Sequence, residues 1–175
     1  MEAKDIKYIV IHCTAGYAPA ERVQAYFLRP VKKGGRGWNT GGYHRIIDRD
    51  GTINEMYPFD KVTNGVKGFN KEAIHISYVG GIENNKAMHP KDTRNKLQKE
   101  AIIKCINEAR FWLEENGKDI TKDLQVVGHR DFSHDANNDN VIQSWERMKE
   151  CPSFDAIEEY KEYSSEDTCG LLPEK

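Results

Sequence analysis

The chain has 175 residues, 38% of them hydrophobic and 31% charged, with a formal net charge of −2. That length suits one domain around one core, and the balance of residues excludes an intrinsically disordered chain. The charge gives no electrostatic case for general nucleic-acid binding, and no apolar run approaches the roughly 20 residues of a membrane-spanning helix. The first residues lead directly into a strand pattern, so no secretory signal peptide is expected in the chain as given and synthesis in the cytoplasm is expected. Four cysteines (Cys13, Cys105, Cys151 and Cys169) show no C-x-x-C spacing, which argues against a disulfide framework.

Taken in order, Ile6-Lys7-Tyr8-Ile9-Val10-Ile11 is a β-branched and aromatic run that predicts a buried strand ending at His12 and Cys13. Residues 19–28 carry Val23, Tyr26 and Phe27 at helical spacing, with Pro30 as the stop. Residues 29–42 predict a basic, glycine-rich loop around Trp38 that matches no phosphate-binding fingerprint. Residues 43–48 and 52–56 alternate apolar and polar about Asp50-Gly51, a hairpin signal. Residues 73–79 predict another strand, with His75 on the opposite side from Ile74 and Ile76 and assigned a structural role. Residues 93–116 predict the longest helix, with Leu97, Ala101, Ile102, Cys105, Ala109, Trp112 and Leu113 as its apolar stripe. Residues 124–127 predict a short strand delivering His129. Residues 133–148 predict a loop with one or two helical turns, residues 154–163 a helix, and residues 164–175 a short, polar, frayed tail. The fold class is therefore α/β: a single domain with a mixed central β-sheet flanked by helices.

The chemistry concentrates in a few positions. His129 follows an apolar run, and Cys151 lies between Lys149 and Pro152. Imidazole and thiolate are the donors zinc prefers, and three protein ligands plus an open position form its catalytic arrangement. His12 is the candidate for the third ligand, although read alone it is better suited to a core histidine hydrogen-bonded to backbone. The separations match no local zinc-finger spacing, so such a site would be assembled by the fold. Zinc with an open position lowers the pKa of water and polarises a carbonyl, which points to hydrolysis of an amide. The oxyanion formed needs a donor or cation beside the metal. Lys149, two residues before Cys151, and Tyr43, at a strand mouth, are candidates; as alternatives they are an exposed lysine and an aromatic at a strand start.

The chain resembles the type-2 N-acetylmuramoyl-L-alanine amidases, a family that includes phage-lysozyme-type amidases and peptidoglycan recognition proteins. The resemblance spans residues 6–160 and rests on five pieces in the family's order. They are Ile9-Val10-Ile11-His12-Cys13-Thr14-Ala15, Gly42-Tyr43-His44-Arg45-Ile46-Ile47 with Arg49-Asp50-Gly51-Thr52, Val79-Gly80-Gly81-Ile82, Gly128-His129-Arg130-Asp131, and Cys151-Pro152-Ser153-Phe154-Asp155. It implies that His12, His129 and Cys151 bind Zn2+ at one edge of the sheet, and that Tyr43 and Lys149 are catalytic. It implies an amidase catalytic domain over residues 1–163, cutting the amide between the lactyl group of N-acetylmuramic acid and L-alanine of the stem peptide.

The expected partner is peptidoglycan or a muropeptide, met by Lys32, Lys33 and Arg36. No nucleic acid and no membrane insertion are expected, and the chain is read as a monomer acting at the cell wall, reached by lysis, phage release or a dedicated exporter. A non-catalytic recognition module and a cytosolic amidase recycling soluble muropeptides are the competing readings; the first typically lacks the cysteine, and the second usually has Asp in its place. Two departures stand out. Residues 133–148 are longer than in short phage lysozymes and predict a reshaped groove wall, and a family histidine has no match near residues 64–66.

Overall fold

The computed structural model describes residues 1–139 and 141–173; Asn140, in the 133–148 segment, and Glu174 and Lys175, in the tail, lie outside the described residues. Five strands form one mixed sheet in the order β3-β2-β4-β1-β5. Strand β1 (Tyr8–Cys13) runs parallel to both β4 (Ala73–Tyr78) and β5 (Gln125–Gly128). Strand β2 (Arg45–Ile47) runs parallel to β4 and antiparallel to β3 (Ile53–Glu55). Every residue of β1, β4 and β5 is buried, as parallel strands covered on both faces require. The β2–β3 turn uses Gly51 at φ 85°, with Asp50 Oδ1 accepting the Thr52 N–H at 2.9 Å.

Alternation along β2 sorts the helices onto opposite faces. Ile47 packs with Ile102, Cys105, Ile106, Ala109 and Leu113 of α2 (Lys96–Glu115), whereas Ile46 packs with Ala20 of α1 (Ala20–Leu28). Helix α2 starts three residues later than its pattern predicts because a capping box fixes the entry. Asn95 Oδ1 accepts the Gln98 N–H at 2.9 Å, and Gln98 Oε1 accepts the Asn95 N–H at 3.4 Å. Leu97, assigned to the apolar stripe, is instead 52% exposed; at the second helical position it lies over Gly51 of the hairpin turn. Cys105 is fully buried, as its place in the stripe predicts.

The C-terminal third departs further from the pattern. Among the described residues, 133–148 contains no helix, only a single turn in which the Glu146 N–H donates to Gln143 O at 3.0 Å; the buried Glu146 carboxylate draws the backbone into a loop by accepting the Ala136 and Gln143 N–H groups at 2.7 and 2.8 Å. The predicted helix over 154–163 reduces to α3 (Ala156–Glu159) and a 3-10 turn at Lys161–Tyr163. Residues 164–168, the start of the predicted frayed tail, are tied to β5. Ser164 Oγ accepts the Val126 N–H at 2.9 Å, Ser165 N–H donates to Leu124 O at 2.7 Å, and Thr168 Oγ1 donates to the same carbonyl at 3.0 Å. This short stretch thereby covers the outer side of β5.

The turn carrying Cys151 is fastened by three hydrogen bonds to the ends of β4 and β5. Arg130 N–H donates to Cys151 O at 2.7 Å, Tyr78 Oη–H to Pro152 O at 2.7 Å, and Ser153 Oγ–H to Gly81 O at 2.7 Å. Gly128 makes the approach possible, since a Cβ there would stand 2.5 Å from Pro152 Cδ. Gly128→Ala is therefore expected to cost about 1–3 kcal/mol through overpacking and to displace Cys151. Urea unfolding checks the first expectation and metal affinity the second; wild-type values in both would show that the turn gives way freely.

Candidate metal centre

The centre forms where β1 and β5 end. His12 is the penultimate residue of β1, His129 follows β5 directly in a 3-10 turn (His129–Phe132), and Cys151 comes from the fastened turn. One nitrogen of each imidazole and the Cys151 sulfur lie within 4.8 Å of one another. His12 Nδ1 is 3.8 Å from Cys151 Sγ, and the His12 and His129 rings meet edge-on with centroids 4.9 Å apart. Cys13 N–H donates to Cys151 Sγ at 3.1 Å, a contact made by backbone, so the Cys13 thiol is not needed for it. Two nitrogen donors and one sulfur donor at this spacing fit a borderline-soft ion such as zinc.

The electrostatics suit a cation. Burial, followed by the neighbouring histidines, drives His12 well below its ordinary value, and burial with Lys149 nearby lowers His129 to about 4. Both rings therefore offer lone pairs at neutral pH. Burial pushes the Cys151 thiol well up, so its proton would leave when a metal binds.

Three further histidine contacts extend behind the centre. His75 Nδ1 lies 3.1 Å from His12 Nε2. His44 Nδ1 accepts the His75 N–H at 2.9 Å, and His44 Nε2 donates to Lys61 O at 2.8 Å. With both nitrogens so engaged, a second ring proton on His44 has no acceptor, and burial lowers its pKa from 6.5 to about 4. The sign follows directly: the unfolded chain takes up this proton first, so the stability His44 contributes is complete above pH 6.5 and is lost as pH falls towards 4. The loss is roughly 3 kcal/mol for this residue alone, and the buried His12 and His75 act in the same direction. Urea midpoints of metal-free protein should therefore fall between pH 7 and pH 5; a flat profile would mean these rings are not held neutral.

A cleft of about 1010 Å³ opens over the centre, with Cys13, Tyr43, His129, Lys149 and Cys151 among its lining residues. Tyr43 meets His12 with centroids 5.0 Å apart and packs edge-on against Phe27 at 5.4 Å; Phe27 in turn stacks on Trp38 at 5.1 Å. Burial, then the Cys151 sulfur, push the Tyr43 phenol well above its ordinary value, so it keeps its proton. Lys149 is exposed at the rim.

The structure thus brings together all five residues singled out in the sequence, and adds two that composition alone did not single out. Of the three predicted basic contacts, Arg36 lines the cleft, under the Tyr26 and Trp38 rings, while Lys32 and Lys33 do not. Arg22 and Lys67 line it instead. Arg22 stands one helical turn before Tyr26, a spacing that could have revealed it. Among the described residues, none of 133–148 lines the cleft; the predicted reshaped wall is absent because Glu146 folds that segment onto itself.

The mixed sheet with helices on both faces is a fold shared with solved structures. The N-acetylmuramoyl-L-alanine amidase LysC from Clostridium intestinale superimposes with a TM-score of 0.57 at 21% identity, over 93% of this chain and 87% of that one. Sequence comparison defines the family itself: the N-acetylmuramoyl-L-alanine amidase model matches residues 2–154, and the chain belongs to that family. An endolysin of Enterobacteria phage K11 is 28% identical over 145 residues, 83% of this chain and 88% of that protein. Peptidoglycan recognition protein 1 of Bos indicus is 26% identical over 154 residues, 80% of this chain and 72% of that protein. Among the described residues, no helix is long and apolar enough to cross a membrane.

Proposed function

We propose that this protein is a zinc-dependent N-acetylmuramoyl-L-alanine amidase that hydrolyses the amide between the N-acetylmuramic acid lactyl group and L-alanine of the stem peptide. The observation that carries the proposal is the meeting of His12, His129 and Cys151 beneath an open cleft in a chain of the amidase family. In this reading those three side chains hold the zinc ion. When bound, zinc supplies a Lewis acid and makes water a nucleophile at neutral pH.

The chain's own residues do the remaining work. Tyr43 keeps its phenol proton and offers it as a hydrogen bond where negative charge develops on the carbonyl oxygen, and the Lys149 ammonium lies on the same cleft as a cation for that charge. The Cys13 N–H holds the Cys151 sulfur in place. Arg22, Arg36, Lys67 and Lys149 line the cleft without any carboxylate among its lining residues, which suits the anionic stem peptide of peptidoglycan or of a soluble muropeptide. The flat Trp38 ring against Phe27 offers an apolar wall for the sugar or the peptide.

The test is digestion of purified sacculi with and without a chelator, scoring new amino-terminal alanine and new reducing sugar. Alanine ends that form only without chelator support the proposal. Reducing sugar without alanine ends would replace it with a glycosidase. Binding to sacculi with no release from sacculi or soluble muropeptides would favour a recognition module.

A further inference from the structure

His75 sits on β4, in the strand that pairs with β1, and its ring is fully buried. His12 has two ring nitrogens with different surroundings: Nδ1 faces Cys151 Sγ at 3.8 Å, and Nε2 faces His75 Nδ1 at 3.1 Å. An imidazole that ligates through one nitrogen carries its proton on the other, and the hydrogen bond made there fixes the tautomer and the ring orientation. Ligation through His12 Nδ1 therefore requires an acceptor at Nε2. His75 Nδ1 is at that place, and accepting the proton leaves the His75 proton on Nε2.

That second nitrogen is buried with no hydrogen-bond partner among the described residues. A buried ring nitrogen without a partner is uncommon and costly, so a role for the ring beyond packing is called for. The surroundings also hold the ring in place. The His75 N–H and carbonyl are both engaged by His44, at 2.9 and 2.8 Å, and the two rings lie 21° from parallel. On another side is Gly65, where a Cβ would stand 2.4 Å from both Cγ and Nδ1 of the His75 ring. The loop thus supplies a cradle that only the smallest residue leaves open.

We propose that His75 is a positioning residue of the metal centre, which accepts the His12 Nε2 proton and thereby locks His12 in the tautomer that presents Nδ1 to the metal. This rests on the reading of His12 as a ligand, and the experiment separates the two. Zinc affinity is measured by chelator competition for wild type, His12→Ala, His75→Leu and His75→Asn. His75→Leu keeps volume but removes the acceptor, and its Kd should rise about 10–100-fold. His75→Asn, whose amide oxygen can take the place of Nδ1, should restore affinity towards wild type.

Wild-type affinity in His75→Leu, with zinc lost in His12→Ala, overturns the proposal alone. Equal losses in the Leu and Asn variants reduce His75 to packing and overturn it as well. Zinc retained by His12→Ala overturns the ligand reading and this proposal with it. Should the variants fail to fold, long-range proton–nitrogen NMR of zinc-loaded wild type decides: protons on Nε2 of both His12 and His75 are expected, and a proton on His75 Nδ1 overturns the assignment.

Discussion

Cys151→Ser and His129→Ala are expected to abolish zinc binding and hydrolysis of the wall. Each removes one of three donors from a site with no spare: among the described residues this is the one group of three or more potential ligands close enough to share an ion. A two-ligand remnant should lose far more affinity than the ~10–100-fold that loss of an outer partner costs. The serine variant is the cleaner of the two. Its hydroxyl still accepts the Cys13 N–H, and the turn remains fastened through Arg130, Tyr78 and Gly81, so the fold should survive. Zinc content by elemental analysis, with a thermal melt as control, checks the expectation. A folded Cys151→Ser protein retaining stoichiometric zinc would remove Cys151 from the centre.

Lys149→Ala and Tyr43→Phe should leave metal content unchanged and lower kcat by about 10²–10³-fold, the effect of removing one donor from a developing oxyanion. Both substitutions are gentle on the structure. Lys149 is exposed, and phenylalanine at 43 keeps the ring that packs on Phe27 and His12 while removing only the hydroxyl. Because burial keeps the phenol protonated, ionisation of Tyr43 should produce no fall in rate up to pH ~10. Wild-type turnover in either variant would reduce that side chain to a bystander.

Much of the fold is legible in the sequence, for reasons that lie in the solvent. Strands buried on both faces are largely apolar, so residues 6–11, 73–79 and 124–127 stand out, and Asp50-Gly51 marks its hairpin. Leu97 misleads because an apolar side chain in the first turn can cover a neighbouring loop as readily as the core. The 133–148 loop misleads for a different reason: the Glu146 carboxylate gathers the Ala136 and Gln143 N–H groups within it, a contact no periodicity records.

The centre was legible only in part. His12, His129 and Cys151 are the residue types zinc prefers, but their meeting depends on strand order, and Tyr43 and Lys149 were suggested chiefly by likeness to a known family. His75 showed no sign of its contact with His12. A histidine alternating with isoleucines reads as core, and only the parallel pairing of β4 with β1 brings the two rings together.

The seryl and threonyl groups that follow the last 3-10 turn have a consequence for the protein's behaviour at high concentration. Strand β5 ends the sheet, and an uncovered terminal strand offers its amide and carbonyl groups as a template for another chain. Here Ser164, Ser165 and Thr168 already engage the groups of Leu124 and Val126 on that side. Ser164, Ser165 and Thr168 thus act as a guard on this edge of the sheet, and a protein cut back to end before Ser164 would bare the Leu124 and Val126 groups as a site for β-pairing with another chain.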